Sequence, residues 1–402
     1  MPQRSIGGVE ISVPALVGST VAGNLLFSPP HLLADVPRYD GCPLLGQLEL
    51  ADVIGKDFGD TSLSSLQPGL ERPLLVASSR HMSRGVGVCS KLGLDIDAPG
   101  GRKTITPAKL AMRADIDRPW VVISPADEVP MTSGAKRVTK STERTMSMFK
   151  QLVVLPAMQS QTIFGVAVAG HTEGHVATMA AEMVRLGAKG IIVGGANLGE
   201  SPEQLRGAIA RVRAAIGPDV PLLVQGADSM GQLLLALGAG ADLISSNLPA
   251  LATARGQALM LPSCCSAIST ASGPSGSPGS KKPRTEKGEA TLVGRFGPVL
   301  DLWDPSHRLQ QQPLLSDCTC HCCRNHTRAY VHHLLRAKEL LAEVLLYAHN
   351  QHCLLGMMSR AREATAAGAA GTLEQLLATV QHTEQDPKTS RPSCTLAGQE
   401  DD

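Results

Sequence analysis

Aromatic side chains are scarce in this chain. Five phenylalanines, three tyrosines and two tryptophans make up 2% of its 402 residues. The core must therefore rest on Leu, Val, Ile, Ala and Met, and a stacking platform for unpaired bases has little to be built from. An excess of charge of one sign is also missing. With 37 basic and 36 acidic residues the net charge is +1, so the molecule is not a polycation, and any contact with nucleic acid needs a local basic patch. Long apolar runs are absent too. The stretch from Ile11 to Phe27 is broken by Pro14, Gly18, Ser19, Thr20 and Gly23, which suits strands and turns better than a membrane span. The start, Met1-Pro-Gln-Arg-Ser-Ile, lacks the basic and apolar regions of a secretory signal. The expectation is a cytoplasmic chain without a transmembrane segment, in which clustered cysteines are more often metal ligands than disulfides.

What is present is a rhythm. From about Glu10 to Val88 short apolar runs alternate with Gly, Pro and Ser, which reads as β-rich. Beyond that, strands are expected at Trp120 to Ile123, Ile163 to Ala169, Gly190 to Val193, Pro221 to Val224 and Ala241 to Ile244. Helices are expected at Ala135 to Met148, Glu173 to Leu186, Pro202 to Ile216 and Ser229 to Leu237, with Ser201-Pro202 as a cap signal. The strands are continuous apolar runs, and each β–α pair takes roughly 20 to 30 residues, as in a parallel sheet covered by helices. A (β/α)8 barrel and an open doubly wound sheet both fit that pattern. The organisation expected is a β-rich segment and most of the α/β unit over 1–262, a flexible low-complexity insertion over 263–296, a metal-binding subdomain with closing helices over 297–381, and a disordered tail over 382–402.

The segment with the strongest chemistry is Cys318-Thr-Cys320-His-Cys322-Cys323. Thiolates at i, i+2 and i+5 take three corners of a tetrahedral ion, and a histidine supplies the fourth. His349 fits that role, making Cys318, Cys320, Cys323 and His349 the expected set for one structural Zn2+. His321, Cys322, His326, His332, His333 and His352 are competing donors. A straight helix from Asn325 would carry His349 about 36 Å away, at 1.5 Å per residue. The chain is therefore expected to turn back near Leu335 to Lys338. Four protein ligands leave no open position, so hydrolytic metal chemistry is disfavoured.

This region resembles the zinc subdomain of the queuine and archaeosine tRNA-ribosyltransferases, the tRNA-guanine transglycosylases. The residues that carry the likeness are Leu300-Asp-Leu-Trp-Asp304, Pro313-Leu-Leu, the three cysteines, Thr327-Arg-Ala-Tyr-Val-His-His-Leu334, Glu339-Leu-Leu and His349-Asn350. Weaker similarity reaches back to about Pro14 and includes Val13-Pro-Ala-Leu-Val17, Pro30-His-Leu32, Ala135-Lys-Arg-Val, the loop from Gly194 to Glu200 and Ala239-Gly-Ala-Asp-Leu243. The resemblance implies a (β/α)8 barrel with an attached zinc subdomain. The wording from Cys322 to Tyr330 is closer to the family's eukaryotic accessory chains than to its catalytic ones.

In the catalytic members an aspartate at the end of a barrel strand attacks the ribose of a wobble guanosine. The matching frame here is Asp242-Leu-Ile-Ser-Ser-Asn-Leu-Pro249, which puts Ser245 at the nucleophile position. A second family loop, Asp-Ser-Gly-Gly-Phe, has no counterpart between Pro73 and Lys103, where the nearest text is Ala77-Ser-Ser-Arg-His81. The family's base-reading aspartate falls near Asp127, although Asp127-Glu128 also reads as a surface loop.

The resemblance thus implies a non-catalytic subunit, with no catalytic residues of its own, paired as a heterodimer with a catalytic homologue and acting on tRNA directly or through it. It further implies peripheral attachment to the mitochondrial outer membrane. Arg324, Arg328, Arg336 and Lys338, with Lys136, Arg137, Lys140 and Arg144, are the basic residues expected to meet phosphate. The alternative is an active transglycosylase that uses Asp242 or another carboxylate as nucleophile.

Overall fold

The computed structural model describes residues 3–21, 24–25, 27, 45–49, 74–78, 88–90, 93–98, 101–168, 174–261, 292–294 and 297–366. Most of the expected insertion and the whole expected tail lie outside these, as do Pro30-His-Leu32 and the Ser-Arg-His end of the text near Ala77.

The chain opens with a hairpin, β1 (Gln3–Ile6) and β2 (Val9–Ser12). Gly7 and Gly8 make its two-residue turn with φ of 56° and 78°, the left-handed pair that this tight connection requires. Then come β3 (Ala15–Val21), β4 (Asn24–Leu25), β5 (Leu45–Glu49) and β6 (Leu74–Ser78). A small antiparallel sheet follows, β7 (Val88–Cys89), β8 (Leu94–Ala98) and β9 (Gly101–Ile105), leading into helix α1 (Pro107–Asp117). The α/β alternation continues as β10 (Val121–Ile123), α2 (Ala135–Val153), β11 (Ile163–Val168), α3 (His175–Arg185), β12 (Gly190–Gly194), α4 (Pro202–Ile216), β13 (Leu222–Val224), α5 (Met230–Gly238), β14 (Leu243–Ser246) and α6 (Leu248–Ala254).

Strands β3, β5, β6, β10, β11, β12, β13 and β14 pair in that order, all parallel, and β14 pairs back onto β3 from Leu243↔Ala15 to Ser246↔Gly18. The ring is closed. Of the two architectures that the periodicity left open, the chain forms the (β/α)8 barrel.

Alternation along each strand divides the core in two. Val17, Val121, Ile123, Phe164, Val166, Ile192, Leu223 and Leu243 fill the barrel interior, while Val122, Ala167, Ile191, Val224 and Ile244 face the helices. Gly190 leaves room for Phe164, whose ring would lie 2.4 Å from a Cβ placed there. The β1–β2 hairpin closes the end where the strands begin. Ile6 and Ile11 join the interior cluster, and Trp120 Nε1 donates to the Ile6 carbonyl at 2.6 Å.

The helices follow their local signals. Ser201 and Gln204 form a reciprocal capping box around Pro202, and Ser229 with Gln232 does the same for α5, each stabilising its helix start by about 1 kcal/mol. Helix α2, polar in sequence, buries Val138, Ser141, Thr145, Met148, Phe149 and Leu152 along one stripe.

After the barrel, β15 (Gln257–Leu259), β16 (Leu292–Gly294) and β17 (Gly297–Asp301) form an antiparallel sheet. The closing helices are α7 (His321–Asn325), α8 (Arg328–Ala337) and α9 (Leu340–Ala366). Lys338 separates the last two in the left-handed conformation, φ 56° and ψ 39°, inside the stretch where a reversal was expected. Among the described residues no helix is long and apolar enough to cross a membrane.

Candidate functional site

Three short elements bring four donors together. Cys318 precedes α7, Cys320 caps it, Cys323 lies in its first turn, and His349 arrives on α9 after the reversal at Lys338. The ligand atoms of these four residues all lie within 4.8 Å of one another. His349 Nδ1 stands 3.6 Å from Cys318 Sγ, 3.6 Å from Cys320 Sγ and 3.3 Å from Cys323 Sγ. Tetrahedral bonds of about 2.3 Å to sulfur and about 2.0 Å to nitrogen imply a sulfur–nitrogen separation of about 3.5 Å. The spacing therefore fits a metal ion bound by all four residues.

The surroundings fix these donors. His349 Nε2 lies 3.0 Å from the Leu259 carbonyl, which assigns that nitrogen the proton and leaves Nδ1 free for an ion. The next residue, Asn350, accepts from Leu259 N at 2.8 Å and donates to the Gln257 carbonyl at 3.0 Å, so α9 is keyed to the edge of β15. Cys320 Sγ accepts from Cys323 N at 3.3 Å.

Crowding also shifts proton affinities. Hydrogen bonds from Cys320 and Cys323 hold the Cys318 thiol far below the usual cysteine range, and the same contacts push Cys320 up. For His349 burial is the largest influence and favours the neutral ring. Hydrogen bonds and charge from Cys318 and Cys323 outweigh it and raise the group to about 10.

The competing donors go elsewhere. His332 Nδ1 pairs with the Leu302 carbonyl at 2.8 Å, His326 stacks on Tyr330, His352 Nε2 lies 3.4 Å from Thr319 Oγ1, and His333 is exposed. Cys322 is fully buried outside the cluster, its thiol pushed up by that burial.

At the end of the barrel where the strands finish, Ser245 occupies an inward position of β14. Leu243 points into the interior and Ile244 outward, and Ser245 is 5% exposed. Asp242 sits at the opposite end. Its carboxylate takes Arg4 Nε at 2.6 Å, Arg213 Nη2 at 2.5 Å and Leu222 N at 2.8 Å.

Asp127 and Glu128 are both buried, which corrects the surface-loop reading. Asp127 is gripped by Arg137 at 2.6 and 2.7 Å and by Arg144 at 3.3 Å, while Glu128 Oε2 accepts from Gly195 N at 2.9 Å. Glu200 braces the same glycine loop by accepting from Asn197 N and Leu198 N at 2.5 and 2.9 Å.

Comparison with known proteins agrees with this architecture. The family model described as queuine tRNA-ribosyltransferase matches residues 79–385. The chain belongs to the queuine tRNA-ribosyltransferase family. Among its curated relatives, the queuine tRNA-ribosyltransferase accessory subunit 2 of Xenopus tropicalis is 30% identical over 393 residues, covering 92% of this chain and 93% of the relative. The human protein of the same name is 26% identical over 313 residues, 72% of this chain and 74% of its own. A queuine tRNA-ribosyltransferase of Prochlorococcus marinus is 24% identical over 292 residues, 70% and 67%.

Within this family member the basic residues split. Arg324, Arg336, Lys338, Lys136 and Lys140 are exposed. Arg328, expected on the surface, is buried and donates to the Pro313 and Leu314 carbonyls at 3.0 and 3.1 Å. Arg137 and Arg144 are committed to Asp127. The residues that sequence reasoning missed are Glu128, whose partner is 67 positions away, and Cys353, whose sulfur lies 3.5 Å from His349 Nε2. A cysteine one helical turn after His349 was a signal available for the second.

Proposed function

We propose that this chain is the non-catalytic accessory subunit of a heterodimeric queuine tRNA-ribosyltransferase, supporting the exchange of guanine for queuine at the wobble position of tRNAs with GUN anticodons. The observation that carries the reading is Ser245, which takes the inward place at the end of β14 where a carboxylate nucleophile would stand. A serine hydroxyl is neutral and a far weaker nucleophile for glycosyl displacement than the carboxylate it replaces. Asp242, the alternative nucleophile, lies at the strand's other end, already paired with two guanidinium groups. Carboxylates on the finishing side, Asp127, Glu128 and Glu200, are occupied by arginines or backbone amides.

The rest of the proposal follows the same line. Cys318, Cys320, Cys323 and His349 hold one structural Zn2+, which suits the borderline-soft set of three sulfurs and one nitrogen. The ion supplies no chemistry to base exchange; it pins α7 and α9 together so that their surface has a fixed shape. The catalytic subunit docks on this chain, and exposed Arg324, Arg336, Lys338, Lys136 and Lys140 contribute phosphate contacts to tRNA. The protein works in the cytoplasm, peripherally on the mitochondrial outer face. The units are the barrel over 1–262, the insertion over 263–296, the zinc subdomain over 297–381 and the tail over 382–402.

The test is reconstitution. The purified chain is mixed with a catalytic queuine tRNA-ribosyltransferase subunit, the mass of the mixture is measured, and labelled queuine incorporation into tRNA is followed. A one-to-one complex that exchanges base, while this chain alone does not, is the expected result. Exchange by this chain alone would overturn the reading.

A further inference from the structure

Asp127 sits in the loop that follows β10, beside Glu128, whose carboxylate reaches across to Gly195 just past β12. The pair therefore stands over the finishing end of the barrel. Helix α2 meets Asp127 at its backbone and its carboxylate alike. Thr145 Oγ1 accepts from the Asp127 backbone N–H at 2.9 Å, and Ser141 Oγ donates to its carbonyl, both contacts buried. Those two bonds fix the loop without help from the carboxylate. The carboxylate takes both arms of Arg137, at 2.6 and 2.7 Å, whereas Arg144 adds one longer bond at 3.3 Å and also holds the Cys89 carbonyl at 2.9 Å. The partners differ in exposure: the Asp127 side chain is 1% exposed and that of Arg137 is 42% exposed. The acceptor is fixed and buried, and its principal donor can be exchanged.

A carboxylate that accepts two parallel N–H bonds recognises a shape, which arginine is one way to supply. The edge of guanine that carries N1–H and the N2 amino group presents the same two donors in one plane. From this geometry we infer that Arg137 is an internal occupant of a site for a guanine-type base. Its guanidinium rests on Asp127 where the donor edge of the purine would lie, and it keeps the mouth of this chain closed to free base. Release needs no bond chemistry: Arg137 swings to solvent, the base takes both oxygens, and Arg144 stays as the counter-charge. The inference goes beyond the reading of a non-catalytic subunit and rests on Asp127 and Arg137, not on Ser245.

The experiment measures binding of radiolabelled guanine to the full-length chain by equilibrium dialysis. Labelled adenine, which lacks the paired donors, is the comparison. The forms are native, Arg137→Ala, Arg137→Lys, and Arg137→Ala combined with Asp127→Asn. A site occupied from within shows an affinity reduced by the fraction of time it stands open, so Arg137→Ala should bind one guanine per chain at least about 10-fold more tightly than native. Adenine should gain nothing in any form. Arg137→Lys keeps the charge and gives up the fork, and should fall between. Adding Asp127→Asn turns one acceptor into a donor and should return guanine to the native level. Millimolar guanidinium, far below denaturing concentrations, should displace guanine from Arg137→Ala by refilling the fork.

Native chain that binds guanine as tightly as Arg137→Ala overturns the inference. So does a folded Arg137→Ala that binds guanine and adenine alike, or neither. If Arg137→Ala does not fold, Arg137→Lys decides by the same comparison; failure of both to fold makes Arg137 a fastening of the fold and overturns the inference too. The two readings fail separately. Arg137→Ala without guanine binding leaves the reconstitution result standing, whereas base exchange by native chain alone removes the accessory reading and the closed mouth together.

Discussion

The metal cluster and the mouth of the barrel use polar side chains in opposite ways. In the cluster, Cys318, Cys320, Cys323 and His349 turn their donor atoms toward a common point, and the outer hydrogen bonds to Leu259 and Cys323 hold them there. At the mouth the acidic groups turn away into separate partnerships: Asp127 to two arginines, Glu128 to Gly195, Glu200 to its own loop. Convergence prepares a ligand site, whereas dispersal builds walls. A carboxylate that must attack a sugar has to aim an oxygen at it, and these carboxylates aim theirs at guanidinium or amide groups instead.

The largest effect should come from dismantling the cluster. Cys320→Ser is expected to hold less zinc than the native chain by atomic absorption, and to lower the thermal midpoint by on the order of 10 °C in calorimetry. Unchanged metal content and midpoint would erase the contrast between the two regions. Next is Asp242→Asn, which leaves Arg4 and Arg213 without their counter-charge and should cost about 3 kcal/mol in urea unfolding. Base exchange by the reconstituted pair, measured on folded protein, should stay within twofold of native; a specific loss of exchange would make Asp242 the nucleophile.

A smaller effect concerns Cys89, a thiol near Asp127 that contrasts with the acidic Cys318. Burial, reinforced by the Asp127 charge, pushes Cys89 up to about 11 from 9.0. The folded state therefore holds this proton more tightly than the unfolded chain does. The associated stability is fully present below pH 9 and is lost as pH rises through about 11. The loss should be on the order of 1 kcal/mol after solvent screening, and it should be missing in Cys89→Ala when unfolding is followed from pH 8 to 11. The smallest effect belongs to Ser245→Ala, for which queuine incorporation by the heterodimer should be unchanged. A drop of tenfold or more would place chemistry at the mouth of this chain.

Much of this was legible from local pattern. Helix Pro202–Ile216 was read to the residue because Ser201, Pro202 and Gln204 carry its start in consecutive text. The reversal near Lys338 was deduced from a requirement, since His349 could reach the cysteines in no other way. Closure of the barrel was not readable from periodicity, because β14 meets β3 across more than two hundred residues and open and closed sheets share the same apolar runs. Arg328 and Asp127 misled for a related reason. A charged residue looks solvated until its partners are known, and those partners are the carbonyls of Pro313 and Leu314 in one case and two guanidinium groups in the other. Periodicity holds no information about such pairs.

The reversal at Lys338 places the three sulfurs on one side of a turn and the imidazole on the other. With an ion bound to all four donors, a single backbone cut between α8 and α9 would leave two fragments still linked through it. The bonds of Asn350 to β15 and the buried face of α9 would hold them as well, so the covalent thread through that turn is not alone in keeping the two sides in place.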